Sequence, residues 1–300
     1  MKKHELCCVG HITLDKVVTP KSTVFMPGGT SYYFSQGIKH FDDVDYILAT
    51  ALGQSEMSVV DKMRAEGMEV AVMPSSYSVY FENIYGENLN ERTQRVLAKA
   101  DPFTVAFMEG IEAEIYHLGS LLADDFPLEL VEYLASKGRV AVDSQGFLRE
   151  VRDQQVFAVD WQAKKEFLRH VSFLNVNEHE MKVLTGETEV KRAARQLAEW
   201  GVKEVVITLG DAGSVVYDGV DFYRIPAYCV EEVVDTTGCG DTYMTGFLYG
   251  RMKQWDIDRA GRFAAAMCSI KLGRSGPFTG TKEEVLQYMQ QAPQQLPDID

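Results

Sequence analysis

A glycine-rich segment in the last third of the chain carries the residues best suited to chemistry. Residues 235–242 read DTTGCGDT and lead into apolar residues at helical spacing, so the segment opens a helix. Backbone N–H groups of Gly238, Cys239 and Gly240 at that helix start would bind an anion. Asp241 beside them would accept a proton from an attacking hydroxyl group while the amides stabilise a transferred phosphoryl group. A capped helix with glycines for packing is the alternative.

Three other places offer groups that could act on a ligand. Asn177 and Glu180 are three residues apart, so on a helix they share a face and could orient a hydrated cation; a helix cap with a first-turn glutamate is the alternative. Asp15 follows the first predicted strand; its carboxylate could bind substrate hydroxyl groups, or it could be a charged residue of a turn or an edge strand. Gly28 and Gly29 indicate a close backbone approach or a tight turn into a helix.

Two familiar nucleotide-binding motifs are excluded. The sequence GCGDTY lacks the third glycine of the dinucleotide fingerprint and lies far from the N-terminal part of the chain. The sequence GPFTGTK at 276–282 does not have the spacing of a Walker A loop. The segment 235–242 therefore belongs to neither of these classes.

The elements that must position these residues alternate along the chain. Apolar runs predict buried strands at 5–10, 45–53, 114–120, 139–144, 171–177 and 204–210. Apolar residues at helical spacing predict helices at 29–40, 56–66, 127–137, 189–200, 238–252, 256–271 and 281–290. This alternation predicts a parallel sheet covered by helices, with ligands at the carboxyl ends of the strands.

Two segments break the alternation. Residues 13–27 and 77–97 alternate apolar with polar side chains and are rich in Val, Tyr, Phe and Thr, as strands exposed on one face would be. They could pair as a small separate sheet or form long loops. In either case we expect one domain over residues 1–300, with these segments inserted in it.

Charge and composition narrow the class of protein. The 300 residues hold 30 basic and 44 acidic side chains, a net charge of −14, so nucleic acid is an unsuitable partner. No apolar run is long enough to span a membrane, and the N-terminus does not resemble a signal peptide. Five scattered cysteines without CxxC spacing favour a reducing cytoplasm and no structural zinc.

The motifs together resemble those of the ribokinase-like (PfkB) carbohydrate kinases. DTTGCGD is similar to the family signature DTxGAGD, with Cys239 in place of the usual Ala. Four further matches occur in the family's order: Asp15 in VGHITLD, Gly28-Gly29 in PGGTSYY, Asn177 and Glu180 of NVNEHEMKVLTG as NxxE, and TLGDAG at 208–213. The resemblance covers essentially the whole chain. It implies a three-layer αβα sandwich with a mainly parallel sheet and a small β-sheet lid.

The resemblance also assigns roles. It implies that Asp241 is the catalytic base and that Gly238, Cys239 and Gly240 form the anion hole. The implied substrate-binding residues are Asp15, Gly28, Gly29 and Tyr33, and the implied nucleotide-binding residues are Asn177, Glu180, Thr208, Gly210 and Gly213. ATP would lie over the carboxyl edge of the sheet, and Glu180 would contact Mg²⁺ through water. Asp235 and Thr237, with the segment 273–277, match the family's monovalent-cation site and imply K⁺.

Departures from the family pattern concern the substrate. Tyr33 stands where ribose and fructose kinases place an Asn, and VDSQGFLR at 142–149 is similar to the inositol kinase branch. We therefore expect an ATP-dependent kinase of a small carbohydrate or polyol, with myo-inositol, fructose or ribose as candidates.

Two alternative functions and the oligomeric state remain open. A nucleoside kinase would need an aromatic platform, for which Tyr33, Phe34 and Phe81 are candidates. A non-catalytic sugar- or nucleotide-binding protein would keep the fold, although retention of Asp241 argues against it. An apolar outer face of the lid would favour a homodimer, and its candidate residues are Tyr80, Ile84 and Tyr85.

Overall fold

The computed structural model describes residues 2–86, 92–291 and 294–299. Residues 87–91, which belong to the predicted segment 77–97, lie outside the described residues. The strands are β1 (Lys3–Gly10), β2 (Thr13–Val18), β3 (Thr23–Gly28), β4 (Tyr46–Leu52), β5 (Glu69–Pro74), β6 (Val79–Tyr85), β7 (Arg92–Ala98), β8 (Glu112–Gly119), β9 (Arg139–Asp143), β10 (Arg149–Arg152), β11 (Gln155–Ala158), β12 (Phe173–Asn177), β13 (Glu204–Thr208), β14 (Ser214–Tyr217), β15 (Phe222–Ile225), β16 (Ala227–Tyr228) and β17 (Gln294–Gln295). The helices are α1 (Thr30–Ile38), α2 (Met57–Ala65), α3 (Val105–Met108), α4 (Leu128–Lys137), α5 (Lys164–Leu168), α6 (Glu178–Thr185), α7 (Val190–Glu199), α8 (Cys239–Met252), α9 (Ile257–Leu272) and α10 (Lys282–Gln291).

A nine-stranded sheet forms the centre of the fold. Its strand order is β15-β14-β13-β12-β9-β8-β1-β4-β5. All neighbours from β13 to β5 pair in parallel, whereas β14 and β15 add an antiparallel edge. Each of the six apolar runs that predict a buried strand forms one of these parallel strands. The predicted parallel sheet is therefore confirmed.

Helices cover both faces of this sheet because its strands are apolar on both sides. Successive residues of a strand face opposite ways, and adjacent Cys7 and Cys8 accordingly lie in two different core clusters. The first cluster takes its helical residues from α3 to α7, and the second from α1, α2, α8, α9 and α10. This arrangement confirms the αβα layers. None of the helices in the described ranges combines the length and apolar character of a membrane span.

A six-stranded small sheet, in the order β10-β11-β7-β6-β2-β3, lies apart from the main sheet. The described residues of both irregular segments form strands in it, so the long-loop alternative is wrong. Strands β10 and β11 were not predicted from the sequence. They form a hairpin whose turn residues Asp153 and Gln154 have φ values of 48° and 66°. Such a turn favours Asn, Asp or Gly followed by Gly, and Gln154 stands where the Gly would signal it.

Candidate active site

A cleft lies at the carboxyl ends of the parallel strands. One cavity of about 650 Å³ extends from the small sheet to the start of α8. A second cavity of about 840 Å³ adjoins it on the side of β13 and α9. The two share the residues Asn177, Thr208, Thr236, Cys239 and Gly240. Most of the predicted site residues line one or both cavities, so the topology brings together residues from both ends of the chain.

The glycine-rich turn forms the junction between the two cavities. Gly238 precedes α8 with φ +73°, and a Cβ atom there would lie 2.3 Å from the Tyr33 ring. Glycine is therefore required both for the backbone conformation and for the contact. The side chain of Thr242 donates to the Gly238 carbonyl at 2.8 Å, which fixes the turn on the helix. First-turn N–H groups of a helix have no intrahelical acceptor, so that of Gly240 is available to an anion, whereas that of Cys239 donates to the Thr236 carbonyl at 3.3 Å.

Asp241 lies in the first turn of α8 and lines the first cavity. Burial raises the pKa of its carboxyl group from 3.8 to about 7, and the neighbouring Asp143 carboxylate adds to this rise. A hydrogen bond with Thr30 and the charges of His117 and Arg149 oppose the rise. A carboxyl group that titrates near neutrality is suited to accept and release a proton.

Asp15 projects from β2 toward the same cavity. Thr13 donates to its Oδ1 atom at 2.7 Å, which holds the carboxylate in place. A Cβ atom on Gly28 would lie 2.4 Å from Asp15 Oδ2, and one on Gly29, where φ is +89°, would lie 2.5 Å from the His11 carbonyl oxygen. The two glycines therefore serve close packing beside Asp15, and only Gly29 itself lines the cavity.

Asn177 and Glu180 form a capping box at the start of α6. The Asn177 side chain accepts from the Glu180 N–H at 2.9 Å, and Glu180 accepts from the Asn177 N–H at 3.1 Å. Both residues also line the first cavity, so the cap and the ligand-facing position coexist. Burial raises the pKa of Glu180, although hydrogen bonds from Asn177 and Ser144 oppose that rise.

The predicted monovalent-cation ligands lie beside the glycine-rich turn. Asp235 and Thr237 both line the first cavity. The Asp235 carboxylate accepts from the N–H groups of Thr237 at 2.9 Å and Gly276 at 3.0 Å. Burial raises the pKa of Asp235, but these hydrogen bonds and the nearby Lys271 ammonium outweigh it and lower the pKa overall. Asp235 is thus an ionised anchor for the turn.

A buried polar cluster lies next to Asp241 and was not predicted as a unit. The Asn175 side chain donates to Asp143 Oδ1 at 2.8 Å, and His117 Nε2 lies 3.2 Å from Asp143 Oδ2 without the geometry of a hydrogen bond. Asp143 Oδ2 and Asn175 Oδ1 have no hydrogen-bond partner among the described residues. Arg149 lines the same cavity. The polar ends of strands β9 and β12 were the signal that could have identified this cluster.

The small sheet supplies the other wall of the first cavity. Asn83 and Gln94 face the cavity from paired strands, and Gln94 donates to Asn83 at 3.0 Å. Phe81 and Tyr85 lie on the same wall. Tyr85 therefore faces the cavity, and its assignment to the outer face of the lid is wrong.

The aromatic platform proposed from the sequence is only partly present. Tyr33 and Phe81 line the cavity, but Phe34 is fully buried and packs against the His117 ring at 4.6 Å between centroids. Neighbouring residues on a helix point about 100° apart, so Tyr33 and Phe34 cannot share one environment. Phe34 belongs to the core and is excluded from the platform.

The second cavity contains the remaining predicted residues. Thr208, Gly210 and Gly213 line it, and the two glycines have φ values of +61° and +102°. Its wall is otherwise largely apolar and includes Pro226, Ala227, Val230, Val233, Ala265 and Leu272. A cavity of this kind suits a flat apolar group attached to phosphates bound at the junction.

The fold and the sequence are similar to those of known kinases. The chain is 28% identical over 296 residues to the cytidine kinase of Thermococcus kodakarensis, an alignment that covers 92% of this chain and 99% of that protein. A pyrophosphate-dependent kinase of the ribokinase family, solved with a pyrophosphate analogue and myo-inositol, is similar with a TM-score of 0.81 at 26% identity over 94% of this chain and 99% of its own. Arabidopsis thaliana ribokinase complexed with ribose and ATP shares the fold, with a TM-score of 0.77 at 19% identity over 96% of this chain and 99% of its own. Residues 84–284 match the profile of the pfkB family carbohydrate kinases, which confirms the resemblance carried by the motifs: the chain belongs to that family.

Proposed function

We propose that this protein transfers the terminal phosphoryl group of ATP to an alcohol group of a small carbohydrate or polyol. Its supporting observation is that Asp15 and Asp241 line one cavity from opposite sides, with the first-turn N–H groups of α8 beside Asp241. Asp15 accepts hydrogen bonds from substrate hydroxyl groups, and Asp241 removes the proton of the hydroxyl group that attacks. The amides at Gly238 and Gly240, with that of Cys239 once it exchanges the Thr236 carbonyl for the ligand, stabilise the negative charge of the phosphoryl group during transfer.

The residues beside Asp241 also suit Mg²⁺. Asp143 Oδ2, which lies 3.2 Å from His117 Nε2, and Asn175 Oδ1 lack hydrogen-bond partners among the described residues, and both side chains line the cavity together with Glu180. Carboxylate and amide oxygens are suitable ligands for a hydrated Mg²⁺, held here directly or through water. When bound, the ion would neutralise charge on the donor phosphates. Asn177 and Glu180 orient each other through the capping box, so their oxygens are held in place before ligands arrive.

ATP is the donor that the second cavity favours. Its largely apolar wall continues from the phosphate junction at Thr208 and Gly240, where a nucleotide base would bury its faces. Pyrophosphate has no base and would leave this cavity unused. A pyrophosphate donor is nevertheless the competing hypothesis, because the similar myo-inositol-bound kinase uses it.

A nucleoside acceptor is the second candidate. Phe81 and Tyr85 provide aromatic rings on the small-sheet wall, and the Asn83–Gln94 pair offers amide groups that could read the edge of a base. The similarity to a cytidine kinase also favours this candidate. Against it, the aromatic platform lacks Phe34.

One assay separates these hypotheses. Phosphoryl transfer is measured with either Mg·ATP or Mg·pyrophosphate against myo-inositol, fructose, ribose, glucose and common nucleosides, with Asp241→Asn as the blank. We expect turnover of one polyol or sugar with ATP that the variant lacks. Turnover only with a nucleoside would select the second candidate, and turnover only with pyrophosphate would refute the ATP assignment. Binding without turnover in both proteins would support a non-catalytic binding protein.

The small sheet is proposed to act as a lid within one catalytic domain that spans residues 1–300. Closure over the substrate would exclude water, which competes for the phosphoryl group. On its outer face, Phe25, Ile84 and Phe157 remain 58%, 37% and 40% exposed. We propose that this face pairs with a second copy of the chain; light scattering that detects only monomers would refute the dimer.

The proposed cellular setting follows from the thiols. All five cysteines are free in the structure. Cys7 and Cys8 are fully buried in the sheet, and burial raises the pKa of both thiols. Unpaired thiols suit a reducing compartment, so the cytoplasm is the proposed location. The net charge of −14 makes nucleic acid an unsuitable partner.

A further inference from the structure

Lys271 is a buried cation beside the glycine-rich turn. Among the residues that the structure describes, it is the one lysine without exposed surface. Its Nζ atom donates to the Asp235 carbonyl oxygen at 2.6 Å and lies 3.2 Å from Asp235 Oδ2. Burial of an ammonium group is unfavourable unless the charge is paired and hydrogen-bonded, and Asp235 provides both.

The contacts of Asp235 join three separate segments at this point. Its carboxylate accepts from Thr237 in the turn and from Gly276 in the loop after α9. Its own N–H donates to the carbonyl of Leu272, the residue that follows Lys271. The ammonium group of Lys271 thus lies where the end of α9, the loop 273–277 and the start of the anion-binding turn meet.

These are the groups that the family resemblance assigns to a monovalent cation. A K⁺ ion at this place would be bound by oxygens of Asp235 and its neighbours, yet the carbonyl and the carboxylate of Asp235 already contact the ammonium group. The donor set therefore does not fit an additional monovalent cation on these oxygens. A tethered ammonium group carries the same charge as K⁺ and does not depend on its concentration.

We propose that Lys271 is a positioning residue that replaces the monovalent cation and holds the anion-binding turn in place, so that the protein does not require K⁺. Lys271 does not line either cavity of the cleft, so it acts through Asp235 and the turn 235–240. The effect on catalysis rests on the proposed kinase function. The effect on whether the fold requires a monovalent cation is independent of that function.

The test compares Lys271→Ala with the unmodified protein in KCl, NaCl and choline chloride at one ionic strength of about 0.1 M. Thermal unfolding is the first readout, because it needs no substrate. Turnover with the acceptor found in the panel is the second. The matched control is Lys253→Ala, since Lys253 also donates to a backbone carbonyl, that of Asp43, and pairs with a carboxylate, that of Glu5 at 3.0 Å.

The unmodified protein should have the same melting temperature and the same turnover in all three salts. Lys271→Ala should melt several degrees lower in choline chloride and lose turnover by roughly 10- to 100-fold through misplacement of the turn. K⁺ or methylammonium, bound in the space left by the side chain, should restore much of both. Lys253→Ala should show no salt-specific recovery.

Two results would overturn the proposal. The first concerns the unmodified protein: a melting temperature several degrees higher, or a turnover severalfold higher, in K⁺ than in Na⁺ and choline. This measurement stands even if Lys271→Ala does not fold. The second is a folded Lys271→Ala variant with equal losses in every salt, which would make Lys271 a packing residue only. Absence of turnover with every acceptor would count against the kinase function and leave the thermal comparison intact.

Discussion

Replacement of Asp241 by Asn should stabilise the fold while it abolishes turnover. Burial and the Asp143 carboxylate raise the pKa of Asp241 from 3.8 to about 7, so at pH 8 the folded protein holds an ionised carboxylate in an unfavourable place. At ~1.4 kcal/mol for each pH unit, this difference corresponds to roughly 4 kcal/mol against the ionised form. Because the group faces the open cleft, solvent reduces the expected gain in the free energy of unfolding to about 1–3 kcal/mol.

The pH dependence of this gain has a definite sign. In the unfolded chain Asp241 has its ordinary pKa of 3.8, whereas in the folded protein the pKa is about 7. Between these values the folded protein binds a proton that the unfolded chain has released, so the unmodified protein gains stability as the pH falls through 7. An Asn at 241 binds no proton. Its advantage should therefore be fully present at pH 8 and disappear as the pH approaches 4.

Urea or thermal unfolding at pH 8 and pH 5 measures this effect. The gain at pH 8 corresponds to a melting temperature about 2–6 °C higher, and turnover should vanish because no group is left to accept the proton. The control is Asp258→Asn in the first turn of α9, where the carboxylate is 49% exposed and pairs with Arg262 at 2.7 Å. That substitution should change stability by less than about 0.5 kcal/mol. If Asp241→Asn is no more stable than the unmodified protein at pH 8, burial does not suppress ionisation of Asp241 as argued.

Three further predictions follow from the same site. Glu180→Gln keeps one oxygen to accept from the Asn177 N–H but loses the acceptor of Asn177 Nδ2, and it should raise the Mg²⁺ concentration needed for half-maximal turnover; an unchanged Mg²⁺ titration would count against its metal role. Because Asp241, with a pKa of about 7, must be ionised to accept a proton, kcat/KM should fall roughly tenfold for each pH unit on the acid side, and a flat profile from pH 8 to pH 5 would contradict it. Gly28→Ala places a Cβ atom 2.4 Å from Asp15 Oδ2 and should raise the acceptor KM more than it lowers kcat. Gly110→Ala is its control, because a Cβ atom there meets no atom within 4 Å. Equal kinetics in the two variants would show that Gly28 has no role in acceptor binding.

The parallel sheet was predictable because its strands are buried on both faces and read as continuous apolar runs. The predicted run at 204–210 and the observed strand Glu204–Thr208 differ only where the glycine turns begin. The small-sheet hairpin at Arg149–Ala158 was missed for a local reason. Its positive-φ turn is made by Asp153 and Gln154, and Gln gives no turn signal in the sequence.

Parts of the site escaped prediction because their partners are distant in sequence. Lys271 contacts Asp235 across 36 positions, and nothing in the sequence around Lys271 marks it as buried. The pairing of Asn175 with Asp143 depends on which strands are neighbours in the sheet. The motif at 177–180 illustrates a different limit. From the sequence a helix cap and a ligand-facing position are alternatives, whereas in the structure the same side chains serve both.

Substrate identity is the least predictable property because it depends on strand register in the small sheet. Asn83 pairs with Gln94 on the face toward the cavity, whereas the neighbouring pair of Glu82 and Arg95 lies on the opposite face. A shift of one residue would exchange the uncharged amide pair for a charged one and would alter every contact with an acceptor. The register is set partly by an irregularity between Tyr80 and Phe81, where β6 and β7 lose their regular pairing. The alternation of polar and apolar residues identifies such strands but does not determine the register between β6 and β7. The residues of the wall that selects the acceptor are therefore known only once the strands are paired.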